Sequence, residues 1–209
     1  MLKQSFKDQT EFNIYIAEQK VRKEKGYLTV SERKQLEQML EKNYKPIFIK
    51  SEKTKLPIVT DINFLKKPCA EVTKEDNIKE IIQKLKDTLT DYPTGFGLSA
   101  NQIGIQKRIS YVKIPKLTKD KKIEYTEFAM INPRITEHDR KIIHKDEGCL
   151  SFPGIYINTD RWVFITLVYE DEKLETRTAL LQDWESITVQ HECDHLNGIT
   201  IFNRKHKAR

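Results

Sequence analysis

The sequence predicts an α+β fold, in which strands of a largely antiparallel sheet accompany a small number of helices. Three stretches rich in β-branched and aromatic residues, at 108–115, 127–135 and 162–171, have the composition of strands. Residues 77–91 have the apolar periodicity of a helix, and residues 184–197 form a second predicted helix that ends at Gly198. The chain is long enough for these elements to enclose one core and to carry an appendage.

The first fifty residues are expected to form a charged helical extension. Residues 29–32 match a capping box, an apolar stripe follows, and Pro46 stops the helix. The next segment carries two prolines and is expected to be mostly extended. We therefore divide the chain into an N-terminal extension at residues 1–50 and a main domain at residues 51–209, with its core beginning near Leu56.

The helix predicted at 77–91 rests on apolar residues that recur at spacings of 3, 4, 7 and 11. These residues are Ile78, Ile81, Ile82, Leu85 and Leu89. Asn77 is the expected N-cap. A glycine-containing loop at 95–97 precedes the strands, and the lysine-rich segment at 116–122 is interpreted as a solvated hairpin connection. The last helix is expected to end at Gly198 in a left-handed cap.

Composition favours a protein that is neither exported nor embedded in a membrane. The chain of 209 residues is 38% hydrophobic and 33% charged, and it contains no apolar run of about 18 residues. The first residues lack the apolar core of a secretory signal, and acidic residues among the first fifty disfavour an organellar presequence. Three widely spaced cysteines favour a reducing compartment. We therefore expect a cytoplasmic protein, with an organellar location as the less favoured alternative.

The net charge of +6 is weak support for a nucleic-acid partner. The lysines are scattered among acidic residues, and no aromatic RNA-binding signature accompanies them. We expect no membrane partner and no sequence-specific binding of nucleic acid.

The most informative pattern is His191-Glu192-Cys193-Asp194-His195, an HExxH motif on the last predicted helix. Four residues apart on a helix, the two histidines lie about 40° from one another around the axis, so both imidazoles can bind one metal ion. Glu192 and Asp194 flank this face on opposite sides. Cys193 points away from the face and is expected to be a small core residue.

A third ligand has to be located before a reaction can be named, because HExxH alone is typical of zinc proteases. Downstream, Ile201 occupies the position where a longer zinc motif requires histidine, and His206 lies in a basic tail. Upstream, Cys149 would complete a site of one thiolate and two imidazoles, with a fourth position for water. A lone cysteine is more often a small buried hydrophobic residue, but its setting in EGCLS at 147–151 favours the ligand.

Three segments resemble the signature motifs of peptide deformylases: GFGLSANQ at 95–102, EGCLS at 147–151 and QHECDHLNG at 190–198. They occur in the family's order, and the resemblance covers roughly residues 56–203. It implies an α+β fold with mixed or antiparallel sheets around a central helix that carries HExxH. It also implies removal of the formyl group from the N-terminal formylmethionine of newly synthesised polypeptides, with release of formate.

The resemblance implies that Cys149, His191 and His195 are metal ligands, usually of Fe2+ in cells, with Zn2+, Ni2+ or Co2+ as substitutes. Ligand type alone leaves the choice between iron and zinc open. Glu192 would accept a proton from the attacking water and deliver it to the leaving amine. The expected partners are N-formylmethionyl peptides and nascent chains, and the ribosome is a further candidate.

The same resemblance implies that two donors stabilise the oxyanion, the side-chain amide of Gln102 and the backbone N–H of Leu150. Gly97 matches a glycine whose backbone lines the substrate cleft, where a side chain would obstruct approach. The positions that match the pocket for the methionine side chain are Phe96, Leu150, Thr188 and His191, with Glu147 nearby.

The motifs depart from the family pattern at two positions. Ser99 stands where the glycine motif usually carries the first of two alanines, and Tyr156 stands where many bacterial relatives have arginine. The segment SFPGIY around Tyr156 looks more like the plastid-type and phage-encoded branches. As a hypothesis, Arg161 could pair with Asp194 or Glu147 and so brace the elements that bear the ligands.

Two other functions are weighed against this one. A zinc endopeptidase would share the metal, the water and Glu192, but it would cleave internal peptide bonds. An inactive relative that binds ribosomes or nucleic acid is disfavoured, because every proposed ligand and donor is retained. For residues 1–50, a solvated or packing helix is preferred over an element that docks on the ribosome.

Overall fold

The computed structural model describes residues 54–92, 94–117 and 123–207. Its helices are α1 (Ile62–Leu65), α2 (Ile78–Leu89) and α3 (Asp183–Leu196), with short 3-10 helices at Ala100–Ile103 and Ile201–Arg204. Its strands are β1 (Gly97–Ser99), β2 (Ile109–Leu117), β3 (Ile123–Gly148), β4 (Tyr156–Glu170) and β5 (Thr176–Gln182). The predicted α+β class is confirmed. Predictions for residues 1–50, and for most of the connection at 116–122, lie outside the described residues.

The five strands form one sheet in the order β1-β2-β3-β4-β5, so neighbours in the sheet are neighbours along the chain. The β1–β2, β3–β4 and β4–β5 pairs are antiparallel. The largely antiparallel sheet expected from composition is therefore present. In the described part of the chain, none of the helices is long and apolar enough to cross a membrane.

Strand β3 is far longer than the strand predicted at 127–135, because irregular positions let it bend without ending. Its pairing with β4 shifts register at three places, and Asn132, Arg140 and Asp146 adopt left-handed backbone conformations. Pro133 stands at the first of these shifts, where a missing N–H does not interrupt regular pairing. The bent strand ends at Gly148, directly before Cys149.

Strand β5 has no counterpart among the predicted strands. Its side chains are mostly exposed, and even Leu180 is largely in solvent. It pairs with β4 at the edge of the sheet, so it has little of the apolar alternation by which strands are recognised in a sequence. The short helix α1 likewise lies in the segment expected to be mostly extended, where the Asp61 side chain caps it by accepting from Asn63 N at 2.8 Å.

Helix α2 matches the predicted amphipathic helix closely. The five apolar positions of its stripe are all buried, and they pack with Leu98, Ile109 and Tyr111 of the first two strands. Asn77 is the N-cap, and its side chain accepts from Glu80 N at 3.4 Å. This helix therefore covers one part of the core.

Helix α3 is the central element, because most of its surface is covered by protein. Cys193 and Val189 pack against Val112 and Ile114 of β2, as expected for a cysteine that points away from the HExxH face. The helix ends before Gly198, whose φ of 70° is left-handed and whose Cβ, if present, would lie 2.3 Å from a backbone oxygen. Both the conformation and the close approach therefore require glycine there.

Candidate metal centre

Three side chains with ligand atoms converge beside α3. The Sγ of Cys149 and the ring nitrogens of His191 and His195 all lie within 4.8 Å of one another. The Sγ is 3.2 Å from Nε2 of His195, although 46 residues separate the two along the chain. Helix geometry places the two histidines one turn apart, and the end of β3 delivers the cysteine to them. The three ligands expected from the motifs are thus brought together.

The carboxylate of Glu147 orients the first histidine. Nδ1 of His191 and Oε1 of Glu147 are 2.7 Å apart, which leaves Nε2 of the ring for a metal ion. Burial by itself would raise the pKa of Glu147, but hydrogen bonds from Arg161 and His191 lower it well below its usual value. Glu147 is therefore an anion throughout the physiological range and can fix the tautomer of His191.

A chain of charged side chains extends from Glu147 through Arg161 and Asp194 to Arg204. Arg161 donates to Glu147 through Nε and Nη2, at 2.8 and 2.5 Å, and to Asp194 through Nη1 at 2.6 Å. Arg204 donates to both oxygens of Asp194, at 3.0 and 2.6 Å. The pairing expected for Arg161 is confirmed, and it extends to both of the named carboxylates. Arg204 was missed, because nothing in a short basic tail distinguishes one arginine from its neighbours.

The carboxylate of Glu192 is buried against the first strand. Oε2 accepts from Ser99 Oγ at 2.7 Å, and burial raises the pKa of the Glu192 carboxyl above its usual value. A Cβ at Gly97 would lie 2.3 Å from Oε1. Gly97 is therefore required by the close approach of Glu192, and its place beside that carboxylate agrees with a backbone that lines a cleft.

Gln102 lies in the 3-10 helix at Ala100–Ile103 with its amide held in one orientation. Ser99 N donates to Oε1 of Gln102 at 2.9 Å, so the amide nitrogen of Gln102 points toward Cys149. That nitrogen lies 3.2 Å from Ser151 Oγ and 3.7 Å from Cys149 Sγ. An N–H donor is therefore aimed at the space beside the candidate metal ligands.

The residues expected to contact the substrate lie around this centre with different degrees of exposure. Leu150 follows Cys149 and is partly exposed, and Phe96 immediately precedes Gly97 and β1. Thr188 is buried on α3, three residues before His191. Glu147, by contrast, has its two oxygens occupied by Arg161, His191 and Thr159. Its position is that of a support for the ligands.

A buried cysteine and two imidazoles, with a carboxylate and an amide donor beside them, are the side chains of a metal-dependent hydrolase. In such a site a carboxylate moves protons while fixed N–H donors stabilise an oxyanion. The candidate ligand set differs from that of the thermolysin type, whose third ligand is a glutamate, because its third member is a cysteine.

Comparison with known proteins shows which family of metal-dependent hydrolases this chain resembles. A family model described as polypeptide deformylase matches residues 55–209. The peptide deformylase of Wolbachia pipientis subsp. Culex pipiens is 35% identical over 162 residues, covering 75% of this chain and 90% of the relative. The crystal structure of peptide deformylase from Thermotoga maritima is similar with a TM-score of 0.62 and 32% identity, covering 73% of this chain and 97% of that one. A Met-Ala-Ser-bound class I type b peptide deformylase from Acinetobacter baumannii has a TM-score of 0.63 and 27% identity, with 71% and 97% covered.

The chain belongs to the polypeptide deformylase family. It is a hydrolase that removes the formyl group from the N-terminal formylmethionine of newly synthesised polypeptides and releases formate. The family is metal-dependent, and the cluster of Cys149, His191 and His195 provides a candidate site for the ion. The resemblance found in the three motifs is confirmed.

Proposed function

We propose that Cys149, His191 and His195 hold one divalent metal ion, and that Glu192 moves the protons during formyl hydrolysis. The observation that carries the proposal is the convergence of three ligand atoms within 4.8 Å of one another, next to a buried carboxylate. One thiolate and two imidazoles suit iron, zinc, nickel and cobalt. We propose Fe2+ as the native ion, with Zn2+, Ni2+ and Co2+ as substitutes, in agreement with the resemblance.

Held by Cys149, His191 and His195, a divalent ion would supply Lewis-acid chemistry, by lowering the pKa of water and polarising the formyl carbonyl. Glu192 accepts the proton of the attacking water and delivers it to the nitrogen of the leaving amine when the C–N bond breaks. The hydroxyl of Ser99 occupies Oε2, so Oε1 is the oxygen left for this transfer. The products are formate and a free α-amino group.

Two N–H groups are proposed to stabilise the negative charge that develops on the formyl oxygen. The first is the amide of Gln102, which is preset by the backbone of Ser99 and points to the ligand side. The second is the backbone N–H of Leu150, in the turn where Phe152 N donates to Cys149 O at 2.9 Å. Both donors lie on short, hydrogen-bonded segments, so they need little rearrangement during the reaction.

The methionine side chain is proposed to lie against Phe96, Leu150 and Thr188, while the backbone of Gly97 lines the cleft. The relative from Acinetobacter baumannii binds Met-Ala-Ser, which supports a tripeptide of that sequence as a suitable probe. Glu147, counted among the substrate residues by resemblance, is proposed to act through His191 instead.

The wider setting is also a proposal. We propose that residues 51–209 form the catalytic domain and that residues 1–50 are an extension of it, in a protein that acts in the cytoplasm on nascent chains. The family match begins at residue 55, which supports this boundary. A ribosome contact through the extension is testable by co-sedimentation of the full chain, compared with a chain that lacks residues 1–50.

The central test is formate release from formyl-Met-Ala-Ser by anaerobically purified, iron-loaded protein. Glu192→Ala is expected to abolish turnover with the metal retained, whereas Cys149→Ala is expected to lose both. Cys69→Ala is a matched control, because Cys69 is 7% exposed and Cys149 is 9% exposed, but Cys69 lies outside the ligand cluster. No formate from intact, metal-loaded protein would overturn the proposal, and cleavage of internal peptide bonds would favour an endopeptidase.

A further inference from the structure

Ser99 and Ser110 form a fully buried pair of hydroxyls behind the carboxylate of Glu192. They face each other across the β1–β2 pair, both are 0% exposed, and their Oγ atoms are 2.7 Å apart. Ser99 Oγ also lies 2.7 Å from Oε2 and 3.1 Å from the backbone oxygen of Glu192. The hydroxyl of Ser99 is therefore shielded from solvent and surrounded by three acceptor oxygens, one from Ser110 and two from Glu192.

The number of hydroxyl protons decides which group donates and which accepts in this cluster. A serine hydroxyl has one proton to donate, whereas an ionised carboxylate can only accept. When Glu192 is ionised, the proton of Ser99 serves Glu192, and Ser110 must then donate to Ser99. The hydrogen bonds run in one sense, from Ser110 through Ser99 to Oε2 of Glu192.

This arrangement separates the two oxygens of the carboxylate. Oε2 is held by a hydroxyl on the buried side, while Oε1 lies against Gly97, where only a residue without a side chain leaves room. The backbone N–H of Ser99 holds Oε1 of Gln102 at 2.9 Å. Ser99 thus contacts both the proposed base and the proposed oxyanion donor, through two different groups.

We propose that Ser99 is a positioning residue, whose hydroxyl, supported by Ser110, holds Glu192 in the orientation that proton transfer requires. The inference rests on the proposed role of Glu192. An alanine at position 99, as in the usual family motif, keeps the N–H that orients Gln102 and removes only the hydroxyl. Ser99→Ala therefore isolates the effect on Glu192 from the effect on the oxyanion donor.

The test compares steady-state hydrolysis of formyl-Met-Ala-Ser by iron-loaded wild type, Ser99→Ala and Ser99→Cys. A charge-assisted hydrogen bond lost near the reacting atoms is expected to lower kcat about 10-fold and to leave KM unchanged. Cysteine fills the position but donates weakly, so Ser99→Cys should behave like Ser99→Ala. Ser110→Ala should show a smaller decrease, because Ser99 still reaches Glu192.

Two further measurements separate positioning from a general structural effect. Metal content of Ser99→Ala should equal that of the wild type. The changes in the free energy of unfolding in urea for Ser99→Ala, Glu192→Ala and the double variant should be non-additive, because the two side chains are in direct contact. An unchanged kcat in Ser99→Ala, a loss of metal, or strictly additive free-energy changes would each overturn the inference. Inactive wild type or fully active Glu192→Ala would instead overturn the proposed function on which the inference rests.

Discussion

Two arginines in this molecule each lie between two carboxylates, in opposite surroundings. Arg161 binds Glu147 and Asp194, and its side chain is 2% exposed. Arg177 binds Asp171 and Glu175, and its side chain is 49% exposed. The residue types and the number of partners match, so burial is the main difference between the two clusters.

The difference shows where the fold depends on accurately placed charge. Water surrounds Arg177 and screens its pairs, so losing one costs little. The side chain of Arg161 is buried away from water. If it were removed, its two carboxylate partners would remain as buried charges without a counter-charge. One of these partners, Glu147, also holds His191 at 2.7 Å, so the buried cluster contacts one of the proposed metal ligands directly.

The largest effect is expected from Arg161→Ala. Breaking a buried ion cluster should lower the free energy of unfolding by about 3–5 kcal/mol. Because Glu147 then loses the partner that holds it toward His191, metal content should fall as well. Urea unfolding and metal analysis of the same preparation would measure both. A loss below about 1 kcal/mol with full metal content would show that the comparison is wrong.

An intermediate effect is expected from Arg204→Ala. Arg204 binds both oxygens of Asp194, but its side chain is 43% exposed, so solvent weakens the interaction. We expect a loss of about 1 kcal/mol in urea unfolding, with metal content unchanged, because Arg161 still pairs with Asp194. A loss as large as that in Arg161→Ala would show that the buried chain of charges depends on its exposed end.

A much smaller effect is expected from Arg177→Ala, the matched control for Arg161→Ala. The exposed pairs with Asp171 and Glu175 are screened, so the urea midpoint should change little, and added salt should remove what difference there is. Formate release should be unaffected. A decrease in stability toward urea comparable to that of Arg161→Ala would show that burial is not what distinguishes the two clusters.

The smallest effect is a dependence on pH at Asp171. Hydrogen bonding from Arg177, with further bonds from the backbone N–H groups of Lys173 and Glu175, lowers the pKa of Asp171 in the folded protein. A folded pKa below the unfolded one contributes stability above the unfolded pKa, and this is lost as pH falls through the folded pKa. The free energy of unfolding of the wild type should therefore be slightly larger than that of Asp171→Asn at neutral pH, and the two values should converge in acid. Urea unfolding of both proteins at a series of pH values would measure this gap, and a gap that widens in acid, the opposite sign, would contradict the prediction.

Much of the fold could be predicted where a local pattern decides the structure. The stripe of α2 and its cap at Asn77 are visible in the sequence, because helix geometry places residues three and four apart on one face. The same geometry places His191 and His195 on one face of α3. Order and spacing of the three motifs were sufficient to predict the family, which the comparisons confirm.

Other features could not be predicted, because they depend on partners distant in the chain. The bends of β3 arise at left-handed residues such as Asn132, where pairing with β4 shifts. β5 is a strand because β4 pairs with it, although its own side chains are mostly exposed. The hydroxyl of Ser99 acquires a role only because Glu192 folds against it.

By itself, the sequence determined the identities of the candidate ligands and donors, the two long helices and the family. These follow from residue types at fixed short spacings, which a helix or a turn converts directly into geometry. Only the tertiary structure decided how Cys149 meets His195 across 46 residues, and how Arg161 serves two carboxylates at once. The physical reason is that contacts between distant segments, and the burial that makes a charge pair strong or weak, exist only after the sheet has packed around α3.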